Sequence, residues 1–192
     1  MPVRDIPIQT RSKSGYFYSR KNSRSVAYES LLEKKCFLML EFDEDIVSYE
    51  EQPLKIDGYV PDVLAVTKEG KNVLIEVKYS EEAENPDERL WAKFDALKKY
   101  CDSRGWIFKI FTEKDIDEPY FSNISLIYRY ASLKPDEKIL SFLEERGETN
   151  IESLLTRGFD ISHVYALLAQ GKLKTDLRKE LSLESRIRIN DA

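Results

Sequence analysis

The sequence predicts an α/β fold with a small, mostly helical second domain, and three observations carry that prediction. Two β-patterned segments, Val63–Thr67 and Val73–Tyr79, flank Lys68-Glu69-Gly70, a three-residue loop whose glycine suits the left-handed position of a hairpin. A long amphipathic pattern over Glu88–Ser103 then leads into Trp106–Phe111, an apolar strand broken only by Lys109, which implies burial on both faces. Beyond Lys134-Pro135-Asp136 the pattern changes to three shorter helices.

The elements follow in order. Helix one is expected from an N-cap at Ser25 to Leu40, with Leu31, Leu32, Leu38 and Met39 on its apolar face. A strand over Ile46–Glu51 stops at Gln52-Pro53, because proline cannot donate to a ladder. Leu54–Ile56 continues extended until Asp57-Gly58 turns the chain. On the long helix Leu90, Trp91, Phe94, Leu97, Tyr100 and Cys101 share helical spacing, and Gly105 stops it. A helical piece near Ile124–Tyr130 closes the first unit. The second holds helical patterns at Asp136–Arg146, Asn150–Arg157 and Ser162–Gln170, then extended segments near Leu173–Asp176 and Arg186–Ile189. Three helices followed by a β-hairpin is the winged-helix order.

Composition excludes several function classes. In 192 residues no run approaches the ~20 apolar positions that span a bilayer, and the N-terminus has no apolar signal core, so a cytosolic protein is expected. Cys36 and Cys101, without CxxC spacing, offer no zinc site and read as reduced, buried thiols. The formal charge of −5 argues mildly against a general DNA binder. Residues 1–28 run the other way: Arg4, Arg11, Lys13, Arg20, Lys21 and Arg24 face Asp5 alone, and Tyr16, Phe17 and Tyr18 lie among them. Such an arm over residues 1–24 suits phosphate contact, through Arg11, Lys13, Arg20, Lys21 and Arg24; a solvated terminus is the alternative.

The chemistry centres on the hairpin. With the loop at residues 68–70, Thr67 faces Lys71 and Asp62 falls opposite Glu76. Facing residues of an antiparallel pair project to one side of the sheet. Lys78, two residues beyond Glu76, shares that side. Two carboxylates from neighbouring strands suit a hard cation such as Mg²⁺, which activates water and neutralises charge on a scissile phosphate, and an ammonium beside them can orient that water. The plain alternative is an exposed cross-strand ion pair worth ~0.2–1 kcal/mol. Glu33 bears on the choice. On helix one the stripe Glu29–Glu33–Cys36–Leu40 runs from charge into apolar residues, so Glu33 can point into a cleft and add a third carboxylate.

The order of these features resembles the PD-(D/E)XK nuclease superfamily: a helical Glu, then Pro61-Asp62 on a strand, then Glu76-Val77-Lys78 on the next. More narrowly, the chain is similar to TnsA-type endonuclease subunits of heteromeric transposases. The supporting stretches are Ser30-Leu31-Leu32-Glu33, Leu40-Glu41-Phe42-Asp43, Val47-Ser48-Tyr49-Glu50-Glu51-Gln52-Pro53, Tyr59-Val60-Pro61-Asp62 and Ile75-Glu76-Val77-Lys78. Trp106 through Phe111-Thr112-Glu113-Lys114-Asp115-Ile116 adds a further match, and Leu143-Glu144-Glu145-Arg146-Gly147 with Asn150-Ile151 resembles the start of that family's C-terminal domain.

The resemblance implies a restriction-endonuclease-like core over residues 25–133 and a winged-helix-like domain over 134–192. It implies that Glu33, Asp62, Glu76 and Lys78 are catalytic, that Asp62, Glu76, the Val77 carbonyl and Glu33 bind Mg²⁺ (with Mn²⁺ able to substitute), and that Gln52 contacts the site. The expected activity is hydrolysis of phosphodiester bonds at the 5′ ends of a mobile element. The expected partners are transposon-end DNA, a TnsB-like transposase and a TnsC-like ATPase regulator. Some relatives carry Gln where this chain has Glu76, and residues 178–192 match nothing in the family pattern. Two other readings fit the sequence: a stand-alone nuclease of repair, restriction or phage DNA processing, and a catalytically silent adaptor between transposase and regulator.

Overall fold

The computed structural model describes residues 14–191. Among them the chain divides into two compact units, one ending at Ile116 and the other beginning at Asp117. The sequence places this boundary later, at Lys134-Pro135-Asp136. The difference arises from one helix, whose partner lies in the second unit.

The first unit is built on a four-stranded mixed sheet of order β3-β4-β5-β6. Its strands are β3 (Ile46–Glu51), β4 (Val63–Thr67), β5 (Asn72–Val77) and β6 (Ile107–Phe111). The first three are antiparallel, and β6 runs parallel to β5. The hairpin between β4 and β5 has the expected loop: Gly70 takes a left-handed φ of 76°, and the Thr67 N–H donates to the Lys71 carbonyl at 2.9 Å. That turn sets Val63 opposite Ile75, so the next pair outward is Asp62 with Glu76.

Each face of the sheet carries a long helix, and the short helix α2 (Ser80–Glu84) follows β5. Helix α3 (Glu88–Asp102), capped by the Asp87 side chain on the Leu90 N–H, lays Leu97 and Cys101 over Leu74, with Ile56, Leu64, Trp106 and Phe108 completing that layer. On the other face Phe37 of α1 (Leu31–Phe42) stacks on Tyr49 of β3 with ring centroids 5.6 Å apart. Both cysteines are buried and free.

Two expectations about the N-terminal region change. Helix α1 starts at Leu31 with Ser30 as its cap, not at Ser25. Residues assigned to a basic arm instead form a hairpin of β1 (Gly15–Ser19) and β2 (Arg24–Tyr28). Its turn is anchored by Glu41, whose carboxylate accepts from the Ser19 hydroxyl, the Arg20 and Lys21 amides and the Tyr49 hydroxyl. Phe17 and Val26 are buried, while Tyr16 and Tyr18 face outward.

The second unit contains α4 (Tyr120–Tyr128), α5 (Lys138–Arg146), β7 (Thr149–Asn150), α6 (Ile151–Thr156), α7 (Ile161–Ala169), β8 (Leu173–Lys174) and β9 (Arg186–Ile189). Helix α4 packs on α7, which is why it parts from the sheet unit. The three strands form a sheet of order β7-β9-β8, so the unmatched C-terminal stretch supplies the central strand. The buried Asn123 side chain donates to the Leu177 and Lys179 carbonyls and accepts from the Leu181 N–H, tying the β8–β9 connection to α4. His163 accepts from the Asp136 amide at 3.2 Å. No helix among the described residues is long and apolar enough to cross a membrane.

Candidate active site

The end of the β4–β5 hairpin brings three of the expected residues together. Asp62, just before β4, is pinned twice. Its carbonyl accepts the Gln52 N–H at 2.9 Å, and its Oδ2 accepts the Val77 N–H at 2.7 Å. Gln52 does this from a left-handed backbone (φ 44°), uncommon for a residue with a side chain, at the point where β3 ends. Glu76 lies in the middle of the sheet with no solvent exposure. Lys78 follows β5, its N–H donating to the Phe111 carbonyl and so extending the β5–β6 ladder past the strand. Immediately after it, Glu113 accepts from the Ser80 amide and hydroxyl, fixing where the chain leaves the site.

The position of the Lys78 ammonium is the most informative feature. Its Nζ stands 3.0 Å from Glu76 Oε1, 3.0 Å from the Val77 carbonyl oxygen and 3.9 Å from Asp62 Oδ2. Those three oxygens are the set expected to bind a metal. An internal cation therefore already rests on them, so the oxygens converge on one small volume and favour positive charge there. The second oxygen of Glu76, Oε2, is buried without a hydrogen-bond partner. An unpaired buried carboxylate oxygen is unfavourable unless something else satisfies it, and a hard cation fits that need.

Electrostatics agree with this crowding. Burial pushes the Asp62 carboxyl up to about 7, and the neighbouring Glu76 charge adds to the rise, against the pull of Lys78 and the Val77 amide. Burial draws the Lys78 ammonium down, but the carboxylates of Asp62 and Glu76 outweigh it and leave the group above its ordinary value.

Glu33 is not part of this convergence. Its Oε2 accepts the Glu29 N–H while the Ser30 hydroxyl accepts the Glu33 N–H, a capping arrangement at the start of α1. Burial raises its pKa, and its charge is felt by both Asp62 and Lys78, so it borders the site without joining the carboxylate pair. Among the described residues no group of three or more His, Cys, Asp or Glu side chains is placed to hold a metal. The oxygens gathered here are those of two carboxylates and one carbonyl.

Of the cations expected to touch DNA, Arg11 and Lys13 lie outside the described residues. Lys21 is turned inward: its ammonium donates to the carbonyls of Leu40 and Asp43 at the end of α1 and of Ile46 at the start of β3. Arg24 forms a two-pronged ion pair with the buried Glu51. Both cations hold the β1–β2 hairpin to the sheet unit. The Arg20 backbone helps to do the same through Glu41.

One residue was not anticipated. Lys93 of α3 donates to Glu76 Oε1, the same oxygen that Lys78 approaches. Its signal is present in the sequence: a cation within the core-facing stripe Leu90–Lys93–Leu97–Cys101, the same kind of anomaly that singles out Glu33.

A mixed sheet that gathers two acids and a lysine at the open end of its central hairpin fits an α/β nuclease fold. Residues 43–113, which carry Asp62, Glu76, Lys78 and Lys93, match the family described as TnsA-like endonuclease N terminal. This segment is therefore similar to TnsA-like endonuclease domains. The transposon Tn7 transposition protein TnsA of Escherichia coli is 24% identical over 217 residues, covering 93% of this chain and 79% of that protein.

Proposed function

We propose that the chain is the endonuclease subunit of a heteromeric transposase, hydrolysing phosphodiester bonds at the 5′ ends of a mobile element and leaving 3′ hydroxyls and 5′ phosphates. The observation that carries the reading is the Lys78 ammonium lodged on Asp62, Glu76 and the Val77 carbonyl beside the unpaired Glu76 Oε2. Those oxygens would hold Mg²⁺, with Mn²⁺ as a substitute; when bound, the ion supplies Lewis-acid activation of water and neutralises charge on the phosphate. Asp62 and Glu76 fix the negative charge at one point, because one is clamped by backbone hydrogen bonds and the other is enclosed by the sheet and α3. Lys78 orients the attacking water and stabilises the charge that develops on the phosphoryl oxygens. The intact acid–acid–lysine set favours an enzyme over a silent adaptor.

Metal binding should depend on pH through Asp62. Its folded-state pKa of about 7 lies above the ~3.9 of an unfolded Asp. Between those values the metal-free folded protein holds a proton that the unfolded chain releases, so this group's contribution to stability falls as pH rises across that window. A metal must displace the same proton. Mg²⁺ affinity measured by calorimetry is therefore expected to climb between pH ~6 and ~8, with proton release greatest at the acidic end.

For the second unit we propose a winged-helix-like domain that binds protein rather than reading DNA. Helix α7 carries no Lys or Arg, unlike a basic recognition helix in a groove. Deletion from Asp117 onward is expected to abolish pull-down by the TnsC-like regulator while leaving metal binding intact. A plasmid bearing transposon ends, incubated with and without the TnsB-like and TnsC-like partners, tests the whole reading. Mg²⁺-dependent 5′-end cuts only with partners support a transposase subunit, and cutting without them indicates a stand-alone nuclease.

A further inference from the structure

The geometry points to Lys93 as a second active-site cation, one that holds Glu76 in the metal-free protein and competes with the divalent ion for it, thereby setting how tightly the free protein binds metal. This rests on the metal-site reading above.

The placement of Lys93 follows from the packing of α3. Leu97 sits in one layer with Leu74. Glu76 is two residues beyond Leu74 on the same face of β5, and Lys93 is one helical turn before Leu97. The ion pair thus continues a row of apolar contacts, at a position where helical spacing alone would place another apolar side chain. Lys98 and Lys99 on the same helix are exposed, whereas the Lys93 side chain is only 17% exposed. Such burial is unfavourable for an ammonium unless a charge compensates it, and Glu76 is the compensating charge.

Two ammoniums therefore converge on Glu76 Oε1, leaving Oε2 without a partner. Asp62 and Glu76 bring two negative charges when ionised, and Lys78 and Lys93 bring two positive ones. So balanced, the cluster has little net attraction for a divalent cation, which must overcome both lysines. Lys93 acts through Glu76 and is a positioning residue. When it is removed, Lys78 still neutralises Glu76, so the carboxylate is not stranded and its oxygens are more open to metal.

Calorimetric titration of the full chain with Mn²⁺ tests this, using wild type, Lys93→Met and Lys93→Arg. Lys93→Met keeps the length and apolar stem without the charge and should bind Mn²⁺ more tightly, by on the order of tenfold. Lys93→Arg keeps the charge and should bind as wild type does. If Lys93→Met fails to give a native circular dichroism spectrum, Lys93→Gln, which retains a donor to Glu76, takes its place with the same expected direction. Unchanged or weaker Mn²⁺ binding in the folded uncharged variant overturns the inference, since a merely structural lysine predicts that result. If wild type itself shows no Asp62-dependent Mn²⁺ binding, the metal-site reading fails and the inference falls with it. Wild-type binding without tightening in the variant defeats the inference alone.

Discussion

Lys78→Ala is expected to fold, to keep both acidic ligands, and to lose roughly 10²–10³ of the cleavage rate, the usual effect of deleting one positioned electrostatic group. Folding should survive because Lys93 still pairs with Glu76, so the buried carboxylate keeps a counter-ion. Metal binding should survive because Asp62, Glu76 and the Val77 carbonyl remain, now without the ammonium that rests on them. The opposite view makes Lys78 a strand-end surface cation, worth under about 1 kcal/mol and irrelevant to cleavage. A side chain only 25% exposed, within reach of both acids and a carbonyl, does not fit that view. With the partner transposase active, Lys78→Ala should leave nicks at the 3′ ends of the element in place of double-strand breaks. End-labelled gels distinguish the two products, and unchanged double-strand breaks from a folded variant would refute the role given to Lys78.

The β4–β5 hairpin was legible because its register depends on local chemistry alone. A three-residue loop with glycine last fixes the pairing, and the pairing places Asp62 against Glu76. The β1–β2 hairpin was not legible for the opposite reason. Lys21 and Arg24 look like solvent-facing cations, yet their partners Leu40, Asp43, Ile46 and Glu51 lie about 20 or more residues away, and no local pattern reveals such pairs. The start of α1 could have been read. Ser25 and Ser30 are both plausible caps, but only Ser30 has a Glu three residues later, the capping-box spacing. That spacing also gives Glu33 a structural task, which explains why it stands apart from the two acids. Lys93 was readable as a charge in an apolar stripe, although nothing in the sequence says which acid it meets. At the domain boundary, Pro135 marks a break in pattern, but α4 belongs with α7, a contact distant in sequence.

The largest effect of all is expected from Asp62→Ala. Asp62 supplies one of the two carboxylates at the open end of the hairpin, and among the described residues no third acid is placed to substitute. Glu76, left alone, already faces Lys78 and Lys93, so the remaining site would turn from balanced to net positive and repel a divalent ion. The variant should still fold. The Val77 N–H loses its acceptor, a penalty of about 1–3 kcal/mol if it stays unsatisfied, while a carboxyl held far above its ordinary pKa is also removed. Affinity for Mg²⁺ should fall by more than the ~10–100-fold typical of losing an outer-shell partner, and cleavage should fall with it. The direct measurement is a calorimetric titration of Mg²⁺ or Mn²⁺ into wild type and folded Asp62→Ala near pH ~8, where Asp62 is ionised. A saturable site in wild type that vanishes in the variant is the predicted result; equal binding by the two proteins would contradict the assignment of this hairpin as the metal-binding nuclease site.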